Sequence, residues 1–164
     1  MSKLSDVVDA VADLLRGEGG LQDSINIITM GEGLSPMILA ESQIITQNLP
    51  ADIAERSTAG KYPCIHVYCD KIANQLREKS RTFSGDAEAV VEIRVSTDRV
   101  QDLDTQLNVL IDAVTTTLDQ NRGDWGAGLF YGGAYDVILA VVKHGGKNFT
   151  QTAKVTFKLE ISRN

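Results

Sequence analysis

The chain has 164 residues, of which 43% are apolar, and it carries a formal net charge of −6. This length suits a single domain, residues 1–164, that buries roughly 70% of its unfolded surface. The acidic balance argues against a surface that wraps nucleic acid broadly, because phosphate affinity comes from an excess of Lys and Arg. The longest apolar run, residues 137–142, is far shorter than the roughly 18 residues that cross a bilayer, so we expect no membrane insertion.

The charge is distributed unevenly along the sequence, and the number of cysteines bears on the cellular compartment. Residues 1–60 hold three basic and nine acidic side chains, whereas residues 61–164 hold thirteen of each, so the acidity is N-terminal. Met1 leads straight into an amphipathic pattern without an apolar signal core, and the chain has two cysteines. We therefore expect a reducing, cytosolic setting.

The N-terminal third combines one clear helix with an ambiguous stretch. Apolar residues recur at three and four positions from Leu4 to Leu15, which predicts an amphipathic helix that ends at Gly17. Residues 24–29 are predicted to form a short strand. From Met37 to Lys61 neither the helical nor the strand period prevails, so we predict a functional excursion over residues 30–60.

Three strands are predicted before the second helix. Residues 62–69 are rich in β-branched and aromatic side chains, with Pro63 suited to a strand start. Residues 76–83 are expected to form a neighbouring strand. Residues 91–95 alternate apolar and polar side chains, which indicates a third strand.

The C-terminal half contains the longest helix and the most regular strand. Asp98 is a natural N-cap for an apolar stripe from Val100 to Leu118. Residues 134–142 are apolar on both faces and predict a central strand, which residues 143–148 connect to the next strand as a hairpin. Residues 153–161 alternate without error, as in a strand with one buried face. The order predicts an α+β fold with a mostly antiparallel sheet and two main amphipathic helices packed on one face.

No residue pattern predicts catalysis or metal binding. Cys64 and Cys69 lie five residues apart on a strand, hence on opposite faces about 17 Å apart, and cannot bridge. Cys64, His66 and His144 could supply three metal ligands, but no fourth ligand has zinc spacing. Neither histidine belongs to a nucleophile pattern, and the glycine spacing of residues 126–132 misses that of a phosphate loop. We predict no catalytic residue, no cofactor and no metal.

Two groups of basic side chains are candidate contact sites. Alternate positions on a strand would place three cations on one face, roughly 6.6 Å apart, close to phosphate spacing. They could face DNA or a partner, or could be solvated charges that guard an edge strand against aggregation. This first group is Arg77, Lys79 and Arg81. The second, in the predicted hairpin loop, is a soluble tip or reaches a neighbouring subunit, and consists of Lys143, His144 and Lys147.

The order of elements resembles the tail terminator proteins of long-tailed bacteriophages. That family has an aromatic-Pro strand, here Tyr62–Tyr68, then a second strand, here residues 87–96. A long amphipathic helix, residues 98–119, and a C-terminal β pair follow in the same order. The resemblance is architectural, covers residues 1–20 and 62–164, and carries no diagnostic motif.

The resemblance implies a structural virion protein without enzymatic activity. Such a protein forms a ring, commonly a hexamer, that closes the tail tube and docks to the head connector. Its partners would be further copies of itself, the tail tube protein, the head connector protein and, transiently, DNA passing through the lumen. It would be assembled in the host cytoplasm and located in the virion. The alternatives are a head-completion connector on the portal side, and a small ligand-binding or enzymatic domain with a pocket around Trp125 and Tyr131.

Overall fold

The computed structural model describes residues 3–47 and 62–164. Along this part of the chain two helices and a short 3₁₀ turn precede three strands, and a third helix precedes four more strands; the labels follow chain order. The helices are α1 (Lys3–Arg16), α2 (Leu21–Gly31) and α3 (Val100–Gln120), with a short 3₁₀ turn at Glu41–Gln43. The strands are β1 (Ile44–Ile45), β2 (Cys64–Asn74), β3 (Phe83–Thr97), β4 (Gly123–Gly126), β5 (Leu129–Leu139), β6 (Lys143–Gly145) and β7 (Asn148–Arg163).

The strands form one mixed, mostly antiparallel sheet in the order β1-β2-β3-β7-β5-β4, with β6 paired to β7. Among the strands that the structure describes, the short β1 is the one that runs parallel to its neighbour. The long strands β3 and β7 pair along their whole length, from Phe83 opposite Arg163 to Thr97 opposite Phe149. These two strands therefore form the centre of the sheet.

Alternation along the central strands creates one fully apolar face. Ile93 lies opposite Ile65 on one side and Ala153 on the other, and all three are buried. Helices α1 and α3 cover this face with apolar stripes that include Val11 and Leu110. Helix α2 packs on α3 and α1 rather than on the sheet. The predicted α+β class, with two amphipathic helices on one face, is confirmed.

The predicted strand over residues 24–29 is wrong, because this segment lies within helix α2. Leu21, Ile25 and Thr29 recur every four residues and are buried, which is a helical period. Ser24 lies in the same buried face, with its Oγ 3.0 Å from Thr117 Oγ1 of α3. Tertiary packing therefore overrides the β-branched composition of this short segment.

The predicted strand over residues 76–83 is also wrong up to residue 82, because residues 75–82 form the turn between β2 and β3. The Asn74 side chain accepts bonds from the N–H groups of Leu76 and Ser84, at 3.2 and 3.1 Å. Ser84 Oγ accepts the N–H of Glu78 at 2.7 Å. These bonds close a loop across the two strand ends, so the alternation of basic residues does not reflect a strand.

The start of helix α3, the position of β5 in the sheet and the path of residues 32–47 differ from or extend the predictions. Helix α3 begins after Arg99 rather than Asp98, and Arg99 makes no side-chain cap bond. The segment predicted as a central strand is β5, which has β7 on one side and only the short β4 on the other. Of the excursion, residues 32–47 run along the helical layer to β1, and residues 48–61 lie outside the described residues. Within the described ranges, none of the helices is both long and apolar enough to cross a membrane.

Candidate functional site

The outer side of β5 is an open sheet edge. Strand β4 pairs with β5 only at residues 129–131, and no other strand among the described residues pairs with its outer side as far as Leu139. The N–H of Ala140 donates to the carbonyl of Thr152 at 2.9 Å. Because inward and outward bonds alternate along an antiparallel strand, the N–H and C=O groups of Val137 and Leu139 point outward. This edge can accept a further strand.

Aliphatic side chains are exposed where this edge ends. Ile138 is 63% exposed and Val141 is 84% exposed. The β6–β7 hairpin continues from them, and its turn uses Gly146 with a positive φ of 65°. We name this surface the hairpin patch; its members are Ile138, Leu139, Val141, Val142, Lys143, His144 and Lys147. Ile138 and Leu139 are successive residues of β5 and point to opposite faces of the sheet, and Val141 and Val142 follow them. Several exposed aliphatic groups near a polar rim are typical of an interaction surface.

The three predicted basic loop residues lie at exposed positions of the hairpin patch. The predicted hairpin is confirmed, with Lys143 opposite Thr150 and Gly145 opposite Asn148. The His144 ring packs on the Phe149 ring at a centroid distance of 4.8 Å. The imidazole is therefore positioned by an aromatic neighbour at the tip.

The other predicted basic group is not a stripe on a strand. Arg77 forms a bidentate pair with Asp86, with distances of 3.0 and 2.7 Å. Arg81 contacts Glu78, with 3.3 Å between Nε and Oε2, while Lys79 is exposed on the same loop. The structure brings these residues together on one connection but directs two of the three cations toward acidic partners. Their predicted role as a lumen or subunit contact stays a prediction.

A buried ion pair lies on the sheet face opposite the helices. Glu92 and Arg94, two residues apart on β3, have side chains only 7% and 9% exposed. Arg94 Nε lies 2.6 Å from Glu92 Oε2, and the Tyr68 hydroxyl donates to Glu92 Oε1 at 3.2 Å. Lys154 Nζ approaches the same carboxylate at 3.6 Å. Burial, and then the Glu92 charge, raise the pKa of Tyr68 above its ordinary value.

This ion pair forms one wall of a groove that runs to the hairpin patch. The groove has a volume of about 430 Å³, and Glu92, Arg94, Lys154, Ile138 and Lys143 are among its lining residues. The sequence offered little sign of it, because a polar residue at every second position of a strand is ordinarily solvated. The groove therefore extends from the buried Glu92–Arg94 pair to Ile138 and Lys143 of the exposed hairpin patch.

His66 is the buried titratable neighbour of this cluster. It is fully buried, and its Nδ1 lies 2.8 Å from the carbonyl of Gln47, which makes Nδ1–H the donor. Its Nε2 has no hydrogen-bond partner among the described residues. Burial lowers the pKa of His66 below its ordinary value, because the charged imidazolium is poorly solvated there.

The buried imidazole predicts acid sensitivity. Since the unfolded chain protonates His66 more readily than the folded one, its contribution to stability is present above about pH 6.5 and is lost as the pH falls. We expect the free energy of unfolding, measured with urea, to decrease from pH 7.5 to pH 5. His66→Gln should reduce that decrease. Equal acid sensitivity of the wild type and His66→Gln would contradict the assignment.

The remaining candidates for chemistry are packed side chains. Cys64 and Cys69 are free thiols on opposite sheet faces, as predicted, and burial raises the pKa of Cys64 to about 11. Tyr131 is buried, and its ring centroid lies 5.6 Å from that of Trp125 and 5.3 Å from that of Phe157. Tyr131 and Phe157 belong to the buried core, and the partly buried Trp125 packs against it. In residues 3–47 and 62–164, no group of three His, Cys, Asp or Glu is placed to hold a metal.

The sequence was compared with protein-family models and with curated proteins. No protein-family model matches the sequence, and no curated protein matches it significantly.

Proposed function

We propose that this chain is a ring-forming structural component at the head–tail junction of a long-tailed bacteriophage, a tail terminator or closely related neck protein. The observation that carries the proposal is the open edge of β5 that ends in the exposed aliphatic hairpin patch. The resemblance in element order supplies the phage context. The assembly role draws its support from this surface.

The exposed aliphatic side chains of the hairpin patch favour a contact with a neighbouring chain. Burying one such side chain stabilises a contact by about 1.5–3 kcal/mol. A contact between two different surfaces of identical subunits closes into a ring when the rotation between neighbours divides a full turn. Repeated use of the hairpin patch by successive copies would therefore give a ring.

The remaining parts of the proposal follow from the resemblance. The ring is a hexamer, caps the tail tube and docks to the head connector. The loop that carries Arg77, Lys79 and Arg81 lies at the lumen or at a subunit contact. DNA passes the ring transiently, and an acidic surface around the opening lets it slide without binding tightly. The protein is assembled in the host cytoplasm and ends in the virion.

The groove beside Glu92 and Arg94 supports a second candidate function, the binding of a small molecule by a monomeric domain. Its volume and its mix of charged and apolar walls are those of small-ligand sites. A head-completion connector on the portal side is the alternative within the assembly class. Native mass spectrometry separates the classes, because a ligand-binding domain would appear as a monomer carrying a small adduct.

The test of the assembly role removes the apolar contact of the hairpin patch. We expect the wild-type protein to form a closed ring in native mass spectrometry and negative-stain electron microscopy. Val141→Asp should raise the dissociation constant between subunits by at least about 100-fold, because it replaces a buried aliphatic contact with a carboxylate. Val100→Asp, an exposed valine at the first position of α3, is the matched control and should keep the ring.

Two results would overturn the proposal. One is a wild-type protein that stays monomeric at high concentration. The other is a Val141→Asp ring as stable as that of Val100→Asp, which would show that the hairpin patch takes no part in assembly. Circular dichroism of each variant separates loss of assembly from loss of fold. Position in the particle is tested by adding rings to tail tubes from the same genome, where capping of tube ends is expected.

A further inference from the structure

We infer that the hairpin patch of one copy docks on the exposed face of helix α2 in the next copy. This inference rests on the proposed function and deepens it by naming the receiving surface. It gives a contact between two different surfaces of the same chain.

Helix α2 exposes an apolar stripe on the side that does not pack. Ile27 is 68% exposed and Met30 is 82% exposed. Together with Asp23 they follow the spacing of four and three residues that places side chains on one face of a helix. The opposite side of α2 is buried against α3 through Ile25 and Thr29. Helix α2 thus has two apolar faces. One is buried within its own chain, and the other is exposed and free to contact a partner.

A neighbouring loop adds a third exposed apolar side chain beside this stripe. The Gln22 side chain donates to the carbonyl of Met37 at 2.9 Å and accepts the N–H of Leu39 at 2.7 Å. These two bonds hold the loop on α2 and leave Ile38, between them, 81% exposed. We name Asp23, Ile27, Met30 and Ile38 the helix patch. Helix α2 and the two Gln22 hydrogen bonds therefore fix the backbone that carries these four side chains.

A groove next to the helix patch offers space for inserted side chains. It lies between α2, the following loop and α3, with a volume of about 430 Å³. Thr29, Pro36, Met37, Asp102 and Val109 are among the residues that line it. The lining combines apolar side chains with hydroxyl and amide groups and one carboxylate, so it can take an aliphatic side chain that is accompanied by a cation.

Charge complementarity identifies the hairpin patch as the occupant. The hairpin patch combines exposed Val141 and Val142 with the basic Lys143 and Lys147. The helix patch and its groove combine apolar groups with the carboxylates of Asp23 and Asp102. Opposite charges around two apolar centres favour this pairing, whereas two hairpin patches would bring like charges together.

The two patches lie on different parts of the chain. Helix α2 packs on α3 and α1 in the helical layer, whereas the hairpin patch extends from β5 and β6 of the sheet. One copy can therefore use its hairpin patch for one neighbour and its helix patch for another. This is the heterologous arrangement that generates rings.

The test mixes two variants that each lack one half of the contact. Val141→Asp loses the hairpin patch and keeps the helix patch, whereas Met30→Asp loses the helix patch and keeps the hairpin patch. We expect each variant alone to be a monomer of 17.8 kDa. An equimolar mixture should give a heterodimer of twice that mass by native mass spectrometry, because one productive contact remains and cannot extend. Met30→Leu, which keeps the apolar contact, should still form rings.

The outcomes separate the inference from the proposed function. If Met30→Asp forms rings like the wild type, the receiving surface is wrong although the ring stands. If both variants are monomers but their mixture stays monomeric, the two patches do not meet and the inference is likewise overturned. If the wild type itself forms no ring, the proposed function fails, and this inference fails with it. A mixture that forms the heterodimer supports both.

Discussion

Replacing Glu92 by Leu is expected to lower the free energy of unfolding by about 3–5 kcal/mol, because the change removes the carboxylate that lies 2.6 Å from the buried Arg94 guanidinium. The Tyr68 hydroxyl loses its acceptor in the same step. The Glu92 and Arg94 side chains are both more than nine-tenths buried, so water replaces the lost partner only in part. Urea or guanidinium denaturation followed by circular dichroism measures the change.

Two control variants make this prediction specific. Glu92→Leu combined with Arg94→Met removes both charges and should recover most of the lost stability, since apolar replacement of a whole buried pair is often neutral or stabilising. Lys154→Met should cost less than about 1 kcal/mol, because exposed ion pairs contribute little and the Lys154 side chain is half exposed. If the free energy of unfolding of Glu92→Leu lies within about 1 kcal/mol of the wild-type value, the range of an exposed ion pair, the Glu92–Arg94 pair is hydrated in solution.

Tyr131→Ala should have an effect of similar size, a loss of about 3–5 kcal/mol, because it empties the centre of an aromatic cluster. The Tyr131 ring is in edge contact with Phe157 and tilted against Trp125. The backbone there is held by pairing with Leu159, so little collapse into the space is available. Chemical denaturation measures the loss, and near-ultraviolet circular dichroism reports the Trp125 environment.

The matched variant Tyr131→Phe separates ring packing from the hydroxyl. The Tyr131 Oη is buried and has no hydrogen-bond partner among the described residues, and burial raises the pKa of Tyr131 to about 12. Removing an unsatisfied buried hydroxyl costs little, so Tyr131→Phe should be as stable as the wild type or slightly more stable. A loss above about 1 kcal/mol for Tyr131→Phe would indicate a hydrogen bond to solvent or to another part of the chain.

Elements with a clean period along the chain were predictable. Helices α1 and α3 carry continuous apolar stripes, and β7 alternates over residues 153–161, so a local pattern is enough to identify each. The α+β class followed from their order. The hairpin 143–148 was also predictable, because its glycines permit a short turn between two strands.

Elements whose pattern is ambiguous over few residues were not predictable. Helix α2 reads as a strand over residues 24–29, and only its packing against α3 through Ser24 and Thr117 selects the helix. The loop 75–82 imitates strand alternation, and the Asn74 and Ser84 side chains decide otherwise. As a consequence Ile27 of the inferred receiving surface was not predicted as a contact residue, whereas Met30 and Ile38 lie within the predicted functional excursion of residues 30–60.

The sequence by itself determined which faces of α1, α3 and β7 are apolar, because side-chain direction is set by the local period of each element. Only the tertiary structure decided which polar residues of β3 are buried and which aliphatic residues of β5 are exposed. Glu92 is buried and Ile138 is exposed because neighbouring strands and covering segments, distant along the chain, control access to water. The burial of a side chain depends on how all helices and strands pack together, so it cannot be predicted from the local pattern of polar and apolar residues.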